Sequence, residues 1–323
     1  MGSLLRLAGF TALGVCALVL ATAPAPAAQQ PPVFRGTTEA VRVFVTVTDR
    51  DGKLVTSLTK DDFELRDDGK PQPITQFDNS PQPIRLIVML DVSTSMQGNL
   101  PLLRASADQL FARLRPDDVA RVGTFGKDVE ISSEFTHDAN QLRAALPTYI
   151  AQDAATPLWR GIDQAITGFQ DGGDERAVIL VLSDGKDTSS LTVGHPVSQG
   201  EVIDRARRQD VMIYAIGMRS RGPRPPMGGP IGPGGLQGML LADMPDPGLA
   251  RVAEESGGGY IEVRFGQDLG AAFAAVADEL HTQYLLGFAP TKRDGKTHDI
   301  NVKIAKGGMK ARARKSYVAP KGT

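Results

Sequence analysis

Residues 85–96 read Arg-Leu-Ile-Val-Met-Leu-Asp-Val-Ser-Thr-Ser-Met, an unbroken apolar run that ends at Asp91 and two serines. A run that is apolar on both faces is typical of a central strand in a parallel sheet covered by helices. Ligands of such sheets bind beyond the carboxyl ends of the strands, where Asp91 is expected to lie. One carboxylate followed by two hydroxyls forms an all-oxygen cluster, which suits Mg²⁺ better than Zn²⁺.

Similar apolar runs recur along the middle of the chain. Residues 119–125, 177–182 and 211–216 are predicted strands, and stretches with apolar residues at helical spacing separate them. The fold class predicted for residues 84–281 is therefore α/β, with a doubly wound and mostly parallel sheet.

The two ends of the chain have a different pattern, typical of antiparallel strands. Valines alternate with other residues over 41–47, and the sequences Asp51-Gly52 and Asp67-Asp68-Gly69 favour tight turns. Near the C terminus, apolar residues alternate over 298–304, and one further strand is predicted over 311–318. Neither set of strands is large enough to form a core alone.

These patterns predict the domain organisation. We expect residues 39–82 and 283–320 to pair into one small sandwich-like β domain, with residues 84–281 inserted between them. Residues 29–38 are a predicted linker. Residues 219–240 are rich in Gly and Pro and have few apolar side chains, so we expect a flexible loop inside the α/β domain.

Residues 1–28 have the features of a signal peptide. Arg6 precedes an apolar run over 7–20, and Ala25-Pro26-Ala27 is typical of a cleavage site, which places cleavage near residues 27–28. The run is short for a membrane span. We therefore expect a protein that is exported to the periplasm or the medium, with no membrane span in the mature chain.

Composition and motifs exclude several functions. The chain of 323 residues has 36 basic and 37 acidic residues, a balance that does not favour binding to nucleic acid. Its four histidines are scattered, and it lacks the sequence motifs of common hydrolases, nucleotide-binding proteins and zinc proteases. A dehalogenase-type phosphatase would have a second acid where Ser93 stands. We therefore do not expect an enzyme.

Three short motifs are informative because they occur together and in order: Asp91-Val-Ser-Thr-Ser95, Ala155-Thr-Pro-Leu-Trp159 and Leu182-Ser-Asp-Gly185. Each alone is a common helix cap or turn. Together they resemble the three parts of the metal-ion-dependent adhesion site of the von Willebrand factor type A domain. The resemblance extends over about residues 84–281.

The resemblance implies a set of ligands for one Mg²⁺ or Mn²⁺ ion. Ser93 and Ser95 would bind the ion directly, and Asp91 and Asp184 would balance its charge, in part through water. Thr156 would be a ligand that approaches or leaves with the conformational state. In this family, a Glu or Asp carboxylate of a protein partner completes the site.

Other residues near the motifs are expected to support the site. Asp187 and Thr188 would hold the ligands or cap the loop without binding the ion. Trp159 stands where relatives often have tyrosine, and it either packs in the core or contacts the partner. The family usually has two glycines where this chain has Ala154 and Ala155, so the loop before Thr156 is expected to be stiffer or differently shaped.

The whole layout also resembles bacterial proteins with a von Willebrand factor A-related domain of the Acidobacteria type, in which a stretch similar to Tyr284-Leu-Leu-Gly-Phe-Ala-Pro290 follows the domain. The predicted function is an exported module that binds a protein partner through its metal site. One alternative is a scaffold of the cell envelope that needs no metal. Another is a metal-dependent hydrolase.

Overall fold

The computed structural model describes residues 40–150, 154–170, 172–173, 175–188, 196–219, 244–264 and 267–322. The predicted signal peptide and linker lie outside these ranges, as does His195. Of the predicted loop at 219–240, only Arg219 is described. Within the described ranges, every helix is too short or too polar to span a lipid bilayer.

The strands follow one another along the whole described chain. They are β1 (Val41–Thr48), β2 (Phe63–Asp67), β3 (Lys70–Gln72), β4 (Gln76–Asp78), β5 (Ile84–Asp91), β6 (Val119–Phe125), β7 (Val129–Ile131), β8 (Arg176–Ser183), β9 (Met212–Met218), β10 (Tyr260–Val263), β11 (Tyr284–Phe288), β12 (Thr297–Ile304), β13 (Lys310–Arg312) and β14 (Ser316–Val318). The helices are α1 (Leu100–Phe111), α2 (Ala139–Ala144), α3 (Leu158–Thr167), α4 (Gln199–Gln209), α5 (Gly248–Ser256) and α6 (Leu269–Leu280). These six α-helices all lie between β5 and β11.

A six-stranded sheet in the order β10-β9-β8-β5-β6-β7 forms the centre of the molecule. Its strands are parallel except β7, which is antiparallel to β6. Every residue of β5 is buried. Leu86 and Val88 pack in the cluster that contains α1 and α6, and Ile87 and Met89 pack in the cluster that contains α3, α4 and α5. The predicted α/β class with a doubly wound sheet is confirmed.

Two four-stranded antiparallel sheets combine strands from both ends of the chain. Their orders are β13-β1-β11-β4 and β14-β12-β2-β3. Between them lies a separate hydrophobic cluster that includes Val43, Val45, Leu65, Leu286 and Tyr317. The predicted sandwich-like architecture, built from N-terminal and C-terminal strands, is confirmed. The division of the chain into domains at the stated boundaries stays a prediction.

The single strand expected over 311–318 is wrong. The chain forms two short strands, of which β13 pairs with β1 and β14 pairs with β12 in the other sheet. Residues 313–315 connect these two strands across the two sheets, and the N–H of Lys315 donates to the carbonyl of Glu255. Alternation of side chains does not show which sheet a strand joins, so the sequence pattern missed this break.

From Val43 to Val47 the strand β1 is buried on both faces, although an alternating pattern is typical of a strand with one exposed face. Val43 and Val45 face the sandwich core, whereas Phe44 packs in the cluster of the central sheet. On the same side as Phe44, the hydroxyl of Thr46 donates a 2.8 Å hydrogen bond to Glu279 at the end of α6. The threonine is therefore a buried contact with the α/β part of the chain.

Candidate metal-binding site

The candidate site begins where β5 ends, in the middle of the central sheet. Asp91 is the last residue of β5 and is fully buried. Its Oδ1 accepts a 2.8 Å hydrogen bond from the backbone N–H of Ser93, which turns the chain out of the strand. A short 3-10 helix over Thr94–Met96 follows, and the Oγ atoms of Ser93 and Ser95 lie 3.0 Å apart.

The strand β8 supplies the second acid, because it is the parallel neighbour of β5. Asp184 follows β8 directly and is buried, and its Oδ1 accepts a 2.7 Å hydrogen bond from the hydroxyl of Ser95. Hydrogen bonds thus connect four of the predicted ligands in one chain: Asp91, Ser93, Ser95 and Asp184.

Ser183 is a contributor that the sequence argument did not assign. The hydroxyl of Ser183 donates to Oδ2 of Asp91. The register pairs Leu90 with Leu182, so the next residue of each strand meets the other across the sheet. The sequence does show a serine directly before Asp184. Its contact with Asp91 could be predicted only by knowing that β5 and β8 are neighbours in this register.

Thr156 lies just before α3 and is buried, and its backbone is hydrogen-bonded to Thr188. Its backbone N–H donates to Oγ1 of Thr188 at 2.8 Å, and the N–H of Thr188 donates back to the carbonyl of Thr156 at 2.9 Å. A Cβ atom on Gly185 would lie 3.3 Å from Oγ1 of Thr156. The small residue after Asp184 therefore leaves room for the threonine hydroxyl.

The loop before Thr156 closes without the two glycines that are usual in the family. The N–H of Ala154 donates to Oγ1 of Thr94 at 3.0 Å, which ties this loop to the turn after β5. Among described residues other than glycine, only Asp68 and Asp210 have positive φ. Ala154 and Ala155 thus adopt backbone conformations that alanine favours, and the loop is fastened by a side-chain hydrogen bond.

Asp187, which is expected to support the ligands, is hydrogen-bonded to residues on both sides of the ligand loops. Oδ1 of Asp187 accepts a 3.3 Å hydrogen bond from the N–H of Trp159, and the N–H of Asp187 donates to Oδ2 of Asp246 at 3.1 Å. Asp246 also accepts from the N–H of Gly248, where α5 begins. Trp159 is only 6% exposed and packs against Gly248, so little of its ring is open to a partner.

The electrostatics of the site favour a bound cation. Burial raises the pKa of Asp91 to about 7, and the charge of Asp184 adds to the effect. Burial also raises the pKa of Asp184. Oδ2 of Asp184 is buried and accepts no hydrogen bond within the described part of the chain. A buried carboxylate oxygen without a hydrogen-bond partner costs free energy. The neighbouring side-chain atoms that could bind an ion are all oxygens, so these residues fit Mg²⁺ or Mn²⁺.

Comparison with known proteins identifies a sequence family for the part of the chain that contains the site. Residues 86–186 match the sequence model of the von Willebrand factor type A domain. The chain is similar to the structure of an aerotolerance-related membrane protein from Bacteroides fragilis NCTC 9343, with 18% identity, a TM-score of 0.44 and coverage of 61% of this chain and 98% of that one. It is also similar to a von Willebrand factor type A protein from Catenulispora acidiphila, with 12% identity, a TM-score of 0.47 and coverage of 88% and 75%. No curated protein matches the chain.

The matched segment begins inside β5 and ends just after Asp184, so it contains all the residues predicted to bind the ion. Domains of this type commonly mediate interactions between proteins, often bind a metal ion and are generally not enzymes. The family resemblance inferred from three short motifs is confirmed: this chain contains a von Willebrand factor type A domain.

Proposed function

We propose that this chain is an exported protein-binding module that holds one Mg²⁺ or Mn²⁺ ion through Asp91, Ser93, Ser95, Thr156 and Asp184. The observation that supports this most strongly is the buried Oδ2 of Asp184, which accepts no hydrogen bond from the described residues. It lies on a carboxylate that is hydrogen-bonded to Ser95, next to a second buried acid. A divalent cation would offset the cost of burying both charges.

The residue types also suggest how a partner is recognised. A bound divalent ion would supply positive charge and a coordination position open to an outside ligand. The hydroxyls of Ser93, Ser95 and Thr156 are neutral, so only the carboxylates of Asp91 and Asp184 would offset that charge. An acidic residue of a partner protein is the ligand that this arrangement favours. Ser95 is exposed, which puts one hydroxyl of the set at the surface that a partner would meet.

The surrounding contacts would hold the three loops in position for binding. Thr188 is hydrogen-bonded to the backbone of Thr156, and Asp187 connects Trp159 to Asp246. We therefore assign Asp187 and Thr188 to holding the ligand loops. Export is proposed from the pattern of residues 1–28 alone.

The metal proposal is tested by the effect of Mg²⁺ on thermal unfolding. An ion that binds only the folded state stabilises it by about 2.7 kcal/mol at a hundredfold excess over Kd. We expect Mg²⁺ to raise the melting temperature of the wild type by several degrees and to leave that of Asp91→Ala unchanged. Asp91→Ala should still fold, because it removes one of two acids that repel each other without an ion.

Asp163→Ala is the matched control, because Asp163 lies on α3 and pairs with Arg205 at 2.6 Å. It should keep the full Mg²⁺ shift. An equal shift in Asp91→Ala would show that the ion binds elsewhere. The absence of any shift in the wild type would instead favour a scaffold that needs no metal.

A further inference from the structure

A second cluster of metal-binding side chains lies in the antiparallel sheets, in the part of the chain outside the match to the family. The strand β2 ends at Asp67, and the turn to β3 consists of Asp68 and Gly69, both with positive φ. The neighbouring strand β12 carries His298, which is 3% exposed. The N–H of Asp68 donates to the carbonyl of Asp299, which fastens the turn to this strand.

One nitrogen of His298 faces two carboxylates at equal distance. Nδ1 lies 3.2 Å from Oδ1 of Asp67 and 3.2 Å from Oδ2 of Asp68, and all three atoms lie within 4.8 Å of one another. Ligands at Zn²⁺ bond lengths in a tetrahedral site are about 3.4 Å apart. The two distances from Nδ1 are therefore close to the spacing of ligands in such a site.

The remaining polar atoms of the three side chains are held by other groups. Oδ2 of Asp67 accepts from the hydroxyl of Tyr317 at 3.2 Å, and Oδ1 of Asp68 accepts from the N–H of Asp299 at 3.1 Å. Nε2 of His298 lies 3.1 Å from Oδ1 of Asp294. Metal-binding histidines characteristically donate their second N–H to a carboxylate, and metal-binding carboxylates are hydrogen-bonded in turn.

We propose that Asp67, Asp68 and His298 form a second metal site, which binds a divalent transition ion such as Zn²⁺ with water as a further ligand. The imidazole nitrogen distinguishes this donor set from the all-oxygen set around Asp91, and it favours Zn²⁺ over Mg²⁺. Asp68 is exposed on one side, which gives the ion a path from solvent. The bound ion would connect the β2–β3 turn to β12, and these two elements come from opposite ends of the chain.

Two cations compete for this position. Lys292 Nζ lies 3.5 Å from Oδ2 of Asp68, and the lysine side chain is 57% exposed, so it can move away. The other competitor is a proton on Nδ1, which would hydrogen-bond to both acids. Charge-assisted bonds between nitrogen and carboxylate oxygen are usually about 2.7–2.9 Å long. The two distances of 3.2 Å at His298 are longer, as expected for one N–H shared between two carboxylates, so the ion must displace this proton to bind.

The experiment is a calorimetric titration of the full mature chain with Zn²⁺, in excess Mg²⁺ to fill the site around Asp91. Asp68→Asn tests the proposal without loss of the fold, because asparagine tolerates positive φ and its amide oxygen still accepts from Asp299. The chain offers a control in another Asp-Gly turn, where Asp51→Asn makes the same change in an exposed position away from the cluster.

We expect one Zn²⁺ per chain in the wild type, in Asp51→Asn and in Asp184→Asn. Affinity in Asp68→Asn should fall by more than about tenfold, since even residues that only support a ligand change it by that much. Failure of the wild type to bind Zn²⁺, or equal affinity in Asp68→Asn, would overturn the proposal. So would loss of Zn²⁺ binding in Asp184→Asn, because the ion would then occupy the site around Asp91.

Discussion

Asp91 and Asp184 lie at the ends of neighbouring strands, but their carboxylates are held in different ways. Both oxygens of Asp91 accept hydrogen bonds, one from the N–H of Ser93 and the other from the hydroxyl of Ser183. Asp184 accepts from Ser95 on Oδ1 and leaves Oδ2 buried without a donor from the described residues. Asp91 is thus oriented by the protein itself, and Asp184 has an oxygen free for an ion.

The orienting role of Ser183 can be tested by Ser183→Ala. Removing a group that holds a metal ligand typically lowers affinity by 10-fold to 100-fold, so we expect Mg²⁺ affinity to fall by at least about tenfold. Stability should fall by about 1 kcal/mol as one buried hydrogen bond is lost. Calorimetric titration with Mg²⁺ measures the first effect, and denaturant unfolding measures the second.

Ser106→Ala is the control for Ser183→Ala. Ser106 is also buried, and its hydroxyl donates to the carbonyl of Leu102 within α1. This variant should lose similar stability and keep the wild-type affinity for Mg²⁺. Unchanged affinity in Ser183→Ala would show that Asp91 does not need this hydrogen bond.

At the scale of elements, the buried carboxylate of Asp118 holds together the N-terminal ends of β5 and β6. Asp118 precedes β6 and accepts hydrogen bonds from the N–H of Ile84 at 3.1 Å, the N–H of Arg115 at 2.7 Å and Nε2 of His281 at 2.8 Å. It thus joins β5, the turn after α1 and the end of α6. Burial alone would raise the pKa of Asp118, but the hydrogen bonds from His281 and the backbone hold that pKa below its usual value.

This lowered pKa predicts a dependence of stability on pH. The contribution of Asp118 is present above its unfolded pKa of about 3.9 and is lost as the pH falls through the lower folded value. Asp118→Asn cannot ionise, so we expect it to be about 1–3 kcal/mol less stable than the wild type at pH 7. The difference should shrink below about pH 4.

Urea unfolding at a series of pH values measures this difference. The control is Asp108→Asn, because Asp108 is exposed and its partner Arg143 is exposed as well. This variant should stay close to the wild type, since exposed ion pairs contribute little. A difference between Asp118→Asn and the wild type that stays constant down to pH 2 would refute the assignment.

At the scale of the whole molecule, Glu279 connects the central sheet to the antiparallel sheets. It lies on α6 and accepts hydrogen bonds from Thr46 on β1, Tyr214 on β9 and Arg312 on β13. Gln283 adds a hydrogen bond of 2.7 Å to the hydroxyl of Thr46. We propose that residues 39–82 and 283–320 act as one split domain that carries residues 84–281 through this junction.

The sequence predicted the central sheet better than the antiparallel sheets formed by the two ends of the chain. The run before Asp91 indicated a buried parallel strand because it is apolar on both faces, and β5 is such a strand. The alternation around Thr46 indicated a polar face, but this face is buried against α6. A polar residue with a partner far along the chain has no local signal, so the junction could not be predicted.

The candidate site shows the same limit. The positions of Asp91 and Asp184 follow from the ends of two apolar runs, because parallel neighbours bring their carboxyl ends to one edge. Ser183 contributes because of the register between β5 and β8, and Asp246 because it lies at the start of α5. Local sequence patterns specify neither feature. The cluster of Asp67, Asp68 and His298 needs a pairing between β2 and β12, which are far apart along the chain.

The central claim is that the protein binds a partner through a metal ion, and a pull-down from envelope extracts tests it most directly. Immobilised wild type, Asp91→Ala and Asp163→Ala are each incubated with extract in Mg²⁺ and in EDTA. We predict that the wild type and Asp163→Ala retain the same protein in Mg²⁺ and lose it in EDTA, and that Asp91→Ala does not retain it in either. Retention that is equal in EDTA, or equal for Asp91→Ala, or absent for the wild type in Mg²⁺, would contradict the claim.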